Sequence, residues 1–577
     1  MDRRTFFKST GAAAAASMMG GAHALESKPG PEGDSMKTEA ETCRNRDRST
    51  VISRHGMVCA SQHLATMAGI DVLKAGGNAI DAAICANAML GLVEPMNCGI
   101  GGDLFAIMWI EKDRKLYGLN ASGRSPYDWN LDEAAKLGLK SIPSDSTLAW
   151  NVPGCVSGWG ALLERFGSMP LARLLDPAIQ YARNGFPVTG IVAADWPFNT
   201  KYESLCKTFM PGGNAPKFGE VFKNPALADT LESIANGGPR SFYEGDIADK
   251  IVAACREGGG RMTKKDFVDH QPEWVQPATT SYRGYDVWEI PPNGQGISAL
   301  QILNMLECFD IASLEPNSAE QLHLFIEAKK LAFEDRAVYY ADMALADVPV
   351  EWLISKEYGK QRAALIDGRK AAVDVKCGKY EGSRDTIYMT AADGDGNMIS
   401  FIQSIYWGWG SRIVPANLGF SMQNRGLSFS LKPDHRNRLE PHKRPFHTII
   451  PAFVTQNGAP KFSFGVMGGD FQPQGHSQIL MNIIDYGMSP QQAGDQPRAE
   501  HGGSSTPMDG VMRGGGVVNL EPGMPETTRA KLAEMGHNVS NKRDEVFGGY
   551  QGIWREENPL RYFGGSDPRK DGCAFGY

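Results

Sequence analysis

The chain is predicted to fold as a layered α/β (α+β) protein, and three observations carry that reading. Apolar runs of strand length occur at Leu104–Ile110, Met398–Ser404, Pro451–Val454 and Lys461–Val466;. Runs with helical spacing accompany them. Between two of the strand runs lies Asp393-Gly394-Asp395-Gly396-Asn397, the residue types of a tight hairpin turn;. Sheets packed face to face and flanked by helices bury both kinds of apolar surface, which implies a layered architecture.

From Ser61 to Lys74, the residues Leu64, Met67, Ala68, Ile70 and Leu73 recur at helical spacing, and Gly76-Gly77 ends the run;. Asn78 is placed to cap a second helix from Ala79 to Leu92, whose alanines permit close packing;. Leu104–Ile110 reads as a buried strand, with Lys115–Asn120 its partner across a turn;. The middle, from Leu171 to Ile311, mixes helices with Gly/Pro loops, and Glu320–Tyr340 reads as a long amphipathic helix. Val373 to Ser383 is polar and glycine-containing, as an exposed tail would be. The hairpin follows: its first strand opens on Thr386, turns at Asp395-Gly396-Asn397, and resumes at Met398;.

The first residues have a different character. Arg3-Arg4 opens a twin-arginine pattern, a weakly apolar run follows from Gly11 to Gly21, and Ala22-His23-Ala24 offers a cleavage site;. Residues 1–24 are therefore expected to be an export signal to the periplasm or beyond, and residues 25–48, polar and charged, a disordered leader;.

A hydrophobic share of 42% and a charged share of 22% belong to an ordinary globular protein, and 577 residues leave room for about two to four domains;. A net charge of −7 offers no footprint for nucleic acid;. No later stretch reaches the ~18 apolar residues of a spanning helix, so no membrane association is expected after signal removal. The ten cysteines show no metal-like spacing, and Cys85, within an alanine-rich helical run, reads as a small buried hydrophobe;. No H-E-x-x-H, Walker A or complete G-x-S-x-G motif is present, and Gly99-Ile100-Gly101-Gly102 lacks dinucleotide spacing;. His447 and His476 read as loop residues with nothing at zinc-ligand distance along the chain;. No metal and no cofactor are expected.

The segment Asp385-Thr386-Ile387-Tyr388-Met389 through Asn397 resembles the start of the small subunit of γ-glutamyltransferases, self-processing members of the N-terminal-nucleophile hydrolases. In that family a threonine ten residues before the glycine of the turn becomes a new N-terminus, and Thr386 stands ten residues before Gly396. Lys443-Arg444-Pro445, Gly468-Gly469, Ser566-Asp567-Pro568-Arg569 and the closing Gly576-Tyr577 follow in the family's order. Ala75 through Ala83, Gly99 through Asp103 and Asn151-Val152-Pro153-Gly154 resemble its large subunit, so the likeness runs from Gly56 to Tyr577.

The resemblance implies a four-layer αββα sandwich and a cut between Asp385 and Thr386. The cut would leave a large subunit (residues 49–385 after the leader) and a small one (386–577), joined as a non-covalent heterodimer. Thr386 would be the nucleophile, with its freed α-amino group as base; an amine of unperturbed pKa ~7.7–8 suits that task. Gly468 and Gly469 match the family's oxyanion hole, and Ser404 a threonine that hydrogen-bonds the nucleophile. His447 and Thr448 fall where two serines approach the substrate carboxylate.

The departures concern the substrate. Typical members hold the α-amino group of γ-glutamate with a Gln and an Asp; here Arg425 and Ser428 stand in those places. Tyr406 replaces an Asn that contacts substrate, and Ser122 holds the place of a carboxylate-binding arginine, with Arg124 two residues on. An arginine where an ammonium should bind favours an anion instead. The expected activity is amide hydrolysis or acyl transfer on γ-glutamyl compounds such as glutathione. The alternatives are an acylase for another anionic acyl amide, glutaryl or oxamate-like, and a non-catalytic periplasmic binding protein on the same fold.

Overall fold

The computed structural model describes residues 48–378, 389–540 and 547–577. Two seven-stranded antiparallel sheets dominate it. One runs, neighbour to neighbour, Val51–Ser53, Arg561–Ser566, Tyr550–Glu556, Ala459–Val466, Ala452–Gln456, Tyr285–Glu289 and Ala278–Tyr282. The other runs Cys573–Gly576, Gly56–Ala60, Met389–Asp393, Met398–Ser404, Asp103–Ile110, Lys115–Ala121 and Glu273–Val275.

The two-residue period of a strand explains why the central strands read as unbroken apolar runs. Along Asp103–Ile110, Phe105, Ile107 and Trp109 point into the core between the sheets. Leu104, Ala106, Met108 and Ile110 point the other way, onto the helices His63–Lys74 and Ala79–Val93. The second sheet divides likewise. Phe453 and Ile553 face the inter-sheet core, whereas Ala452, Val454, Phe464 and Tyr550 meet the helices Gly296–Leu306, Ala319–Tyr339 and Gln472–Leu480. The result is the four-layer αββα sandwich. A hydroxyl pair, Thr390 and Ser463 at 2.6 Å, bridges the sheets within the otherwise apolar layer.

The helix Ala79–Val93 is buried on nearly all sides, and its alanines let it lie close against the sheet. Asn78 and Asp81 form a reciprocal capping box at its start;. Asp393 of the hairpin turn adds a second anchor, accepting from the Ala79 amide at 2.9 Å while its other oxygen accepts from the amides of Asp395 and Asn397. Met389 pairs with Phe401 across the hairpin, in the expected register for a turn at Gly396, whose φ is +95°.

Two local expectations are corrected. His476 lies inside the helix Gln472–Leu480, not on a loop; Pro473 sits in the first turn, where its missing N–H costs no hydrogen bond;. The tail after Val373 is exposed at first but tied down at Gly378, whose amide donates to buried Asp335 at 2.7 Å. The expected strand start at Thr386, the signal and nearly all of the leader lie outside the described residues.

The nine cysteines among the described residues, Cys59 to Cys573, are free thiols. Burial pushes the Cys85 thiol up to about 12. No helix among the described residues is long and apolar enough to cross a membrane.

Candidate active site

Asp103 opens its strand directly opposite Ser404 in the neighbouring one. The chain before it has no room for side chains. A Cβ on Gly102 would lie 2.0 Å from the Ser404 carbonyl oxygen, and one on Gly154 1.5 Å from that of Ala121. Only glycine admits backbones this close, and the closeness delivers amides to one carboxylate. Asp103 Oδ1 accepts from the Gly123 amide at 2.8 Å, the Gly154 amide at 3.2 Å and Gln423 Nε2 at 3.0 Å. Its Oδ2 accepts from His447 Nε2 at 2.9 Å, with both side chains fully buried. His447 Nδ1 takes the Ile449 amide at 3.4 Å, which leaves Nε2 as the protonated nitrogen;. Burial alone would raise the Asp103 pKa; the hydrogen bond from His447, the Gly123 amide and the charge of Arg425 outweigh it and hold the group below the usual carboxylate value;.

The glycine pair closes the other side. Gly468 and Gly469 have φ of +127° and +58°, the left-handed region where a side chain is strained;. Met467 donates to the Gly549 carbonyl at 2.9 Å and fixes the entry to the turn. The Gly469 carbonyl accepts from Gln295 Nε2 at 3.0 Å. Gln295 in turn accepts from buried Arg336, whose Nη1 also donates to Asp470 Oδ1 at 2.7 Å. A Cβ on Gly469 would meet nothing within 4 Å, so the turn borders open space. No hydrogen bond among the described residues uses either glycine amide. Two such donors can receive negative charge on an oxygen.

Arg425, Tyr406, Thr448 and Ser428 come together as a third group. The Arg425 guanidinium lies 3.8 Å over the Tyr406 ring and donates from Nη1 to Thr448 Oγ1 at 2.7 Å. Tyr406 is held with φ of +80°, and its amide donates to Ser404 Oγ at 2.8 Å, linking this group to the strand end. Arg425 and Ser428 are the ends of one short 3₁₀ turn, both fully buried. The Ser428 hydroxyl has no hydrogen-bond partner among the described residues, while its carbonyl accepts from Asn437 Nδ2 at 2.6 Å. The charge of Arg425 also reaches both Asp470 and Asp103.

Arg124 belongs to a different network. Its Nη1 pairs with Asp342 Oδ2 at 2.8 Å and donates to the His442 carbonyl at 3.2 Å. Asp385 and Thr386 lie outside the described residues, which resume at Met389. Asp103, Gln423, Asp470 and Arg336 were not singled out by sequence; the glycines around position 103 were the available signal. A possible metal cluster among the described residues, His323, Glu327 and His537, has its carboxylate already taken by Lys330 at 2.8 Å and the Ala372 amide at 3.1 Å.

Residues 65–577 match the protein family described as Gamma-glutamyltranspeptidase. The glutathione hydrolase-like YwrD proenzyme of Bacillus subtilis is 38% identical over 91% of this chain and 99% of its own. The oxamate amidohydrolase proenzyme of Klebsiella pneumoniae is 34% identical over 92% and 100%. Among solved structures, a cephalosporin acylase from Bacillus halodurans superposes with a TM-score of 0.86 at 42% identity, covering 93% of this chain and 98% of its own.

Proposed function

Because the chain belongs to the gamma-glutamyltranspeptidase family, whose members are amidohydrolases and transpeptidases, we propose that it is a self-processing amide hydrolase for an anionic acyl group that carries no α-ammonium. The observation that carries the proposal is Arg425, buried on Tyr406 and Thr448 where typical members present acceptors to an ammonium.

Thr386 is the nucleophile in this reading. The Thr386 hydroxyl attacks the substrate carbonyl, and its α-amino group takes the proton and passes it to the departing amine. The amides of Gly468 and Gly469 receive the oxyanion, and water then opens the ester. Asp103 and His447 keep the wall behind this centre rigid. The terminal carboxylate of the acyl group pairs with Arg425, beside Thr448 and the unsatisfied Ser428 hydroxyl. The oxamate amidohydrolase among the relatives is named for the monoamide of a dicarboxylic acid, the same chemical class.

Residues 25–385 and 386–577 would form the two subunits, and the twin-arginine signal of residues 1–24 would direct the folded chain out of the cytoplasm. N-terminal sequencing of the smaller fragment should begin Thr-Ile-Tyr-Met, and Thr386→Ala should leave one inactive chain. Processing that persists in that variant would exclude Thr386. A single full-length band from the wild-type protein would favour the binding-protein reading.

A further inference from the structure

Asp470 follows the glycine pair directly and differs from an ordinary surface acid. Some 43% of its side-chain surface is open, although the guanidinium that holds it is fully buried. Arg336, which fixes its Oδ1 at 2.7 Å, is fully buried and lies 3.8 Å over the Phe333 ring. Through Gln295 the same guanidinium is tied to the Gly469 carbonyl, so carboxylate, guanidinium and glycine turn form one closed loop. The acid therefore cannot turn away without disturbing Gly469. A counter-ion serving Arg336 alone needs no open face.

The surroundings of Asp470 are polarised. Phe446 packs 5.6 Å from the Arg336 guanidinium, and Thr448, two residues on, holds Arg425. Acid and base thus stand one short segment apart. Enclosure works against ionisation of Asp470, but the charges of Arg336, Lys329 and Arg425 overcome it and keep the group anionic.

We propose that Asp470 selects the amine half of the substrate: its open carboxylate accepts from a protonated or N–H-rich leaving amine while Arg425 takes the anionic acyl half. This rests on the reading above, in which the scissile carbonyl oxygen sits on the Gly468 and Gly469 amides. The amide nitrogen is then next to the following residue. An anionic leaving group would meet a fixed like charge there, and a cationic one a fixed counter-charge.

The test uses three glutaryl amides of similar length, made from ethylenediamine (cationic), propylamine (neutral) and glycine (anionic). The wild type should rank them in that order by kcat/KM. Asp470→Asn should shrink the cationic-to-anionic ratio by roughly ten-fold or more, mostly through KM, as loss of one charge-assisted contact predicts. A denaturing gel checks that the variant is processed; where it is not, the wild-type ranking decides and Asp470→Glu replaces it. A ratio that Asp470→Asn leaves unchanged, or a wild type preferring the glycine amide, overturns the proposal. The same three amines on a γ-glutamyl donor separate the two readings. A wild type preferring γ-glutamyl over glutaryl sinks the Arg425 reading, and the amine ranking on that donor still tests Asp470.

Discussion

The two sides of the site are built from different materials. Around Asp103 the main chain supplies half of the contacts: amides of Gly123 and Gly154 converge on one carboxylate beside the side chains of Gln423 and His447, and Gly102 lies against the Ser404 carbonyl. Around Arg425 they are side-chain: a ring, a hydroxyl and a guanidinium on one short turn. A main-chain cradle tolerates almost no substitution, because what would have to move is backbone. A side-chain grip can exchange one ligand class for another without altering the fold. This explains how a single architecture can keep its chemistry and change its acyl group.

The largest expected effect breaks the cradle. Gly102→Ala places a Cβ 2.0 Å from a carbonyl oxygen between two central strands. It should cost at least about 3 kcal/mol or yield no soluble protein, measured by denaturant unfolding or expression. Alteration of the grip should leave the fold intact and move specificity instead. Arg425→Gln with Ser428→Asp should shift preference from glutaryl toward γ-glutamyl amides by roughly ten- to a hundred-fold, read as kcat/KM on matched p-nitroanilides. Unchanged preference would show that the acyl end lies elsewhere.

A smaller effect sharpens the role of Asp103. Its pKa is depressed in the folded chain, so it binds protons less readily there than when unfolded. Its stabilisation is present above the unfolded value of ~3.9 and is lost as pH falls through the folded one. The Tm of Asp103→Asn should therefore be lower than wild type near neutrality, with the gap narrowing below about pH 4. A gap that does not change with pH would make the carboxylate's charge irrelevant. The smallest effect is expected at Arg124, which is paired with Asp342. Arg124→Ala should change kcat/KM by less than about two-fold, since the side chain serves a neighbouring network.

The strands were legible because both faces are buried, which turns them into apolar runs such as Leu104–Ile110. The glycine pair and the Arg425 turn were legible by family register. Asp103 was not, since its partners Gly123, Gly154, Gln423 and His447 lie 20 to 344 positions away along the chain. Asp470 was adjacent to a recognised motif but silent, because its orientation depends on Arg336, 134 positions earlier. His476 misled because proline and glycine beside it look like a loop, whereas the proline opens the helix.

Strand order in the sheets bears on assembly. Gly56–Ala60 lies between Cys573–Gly576 and Met389–Asp393, and Tyr285–Glu289 beside Ala452–Gln456. A cut anywhere between Gly378 and Met389 would thus yield two polypeptides woven through both sheets, neither holding a complete sheet of its own. Such pieces would behave as one cooperative unit: dilution should not part them, and one that was lost could not be replaced by a separately folded copy. Only an intact precursor, or both pieces folding in each other's presence, would rebuild the molecule.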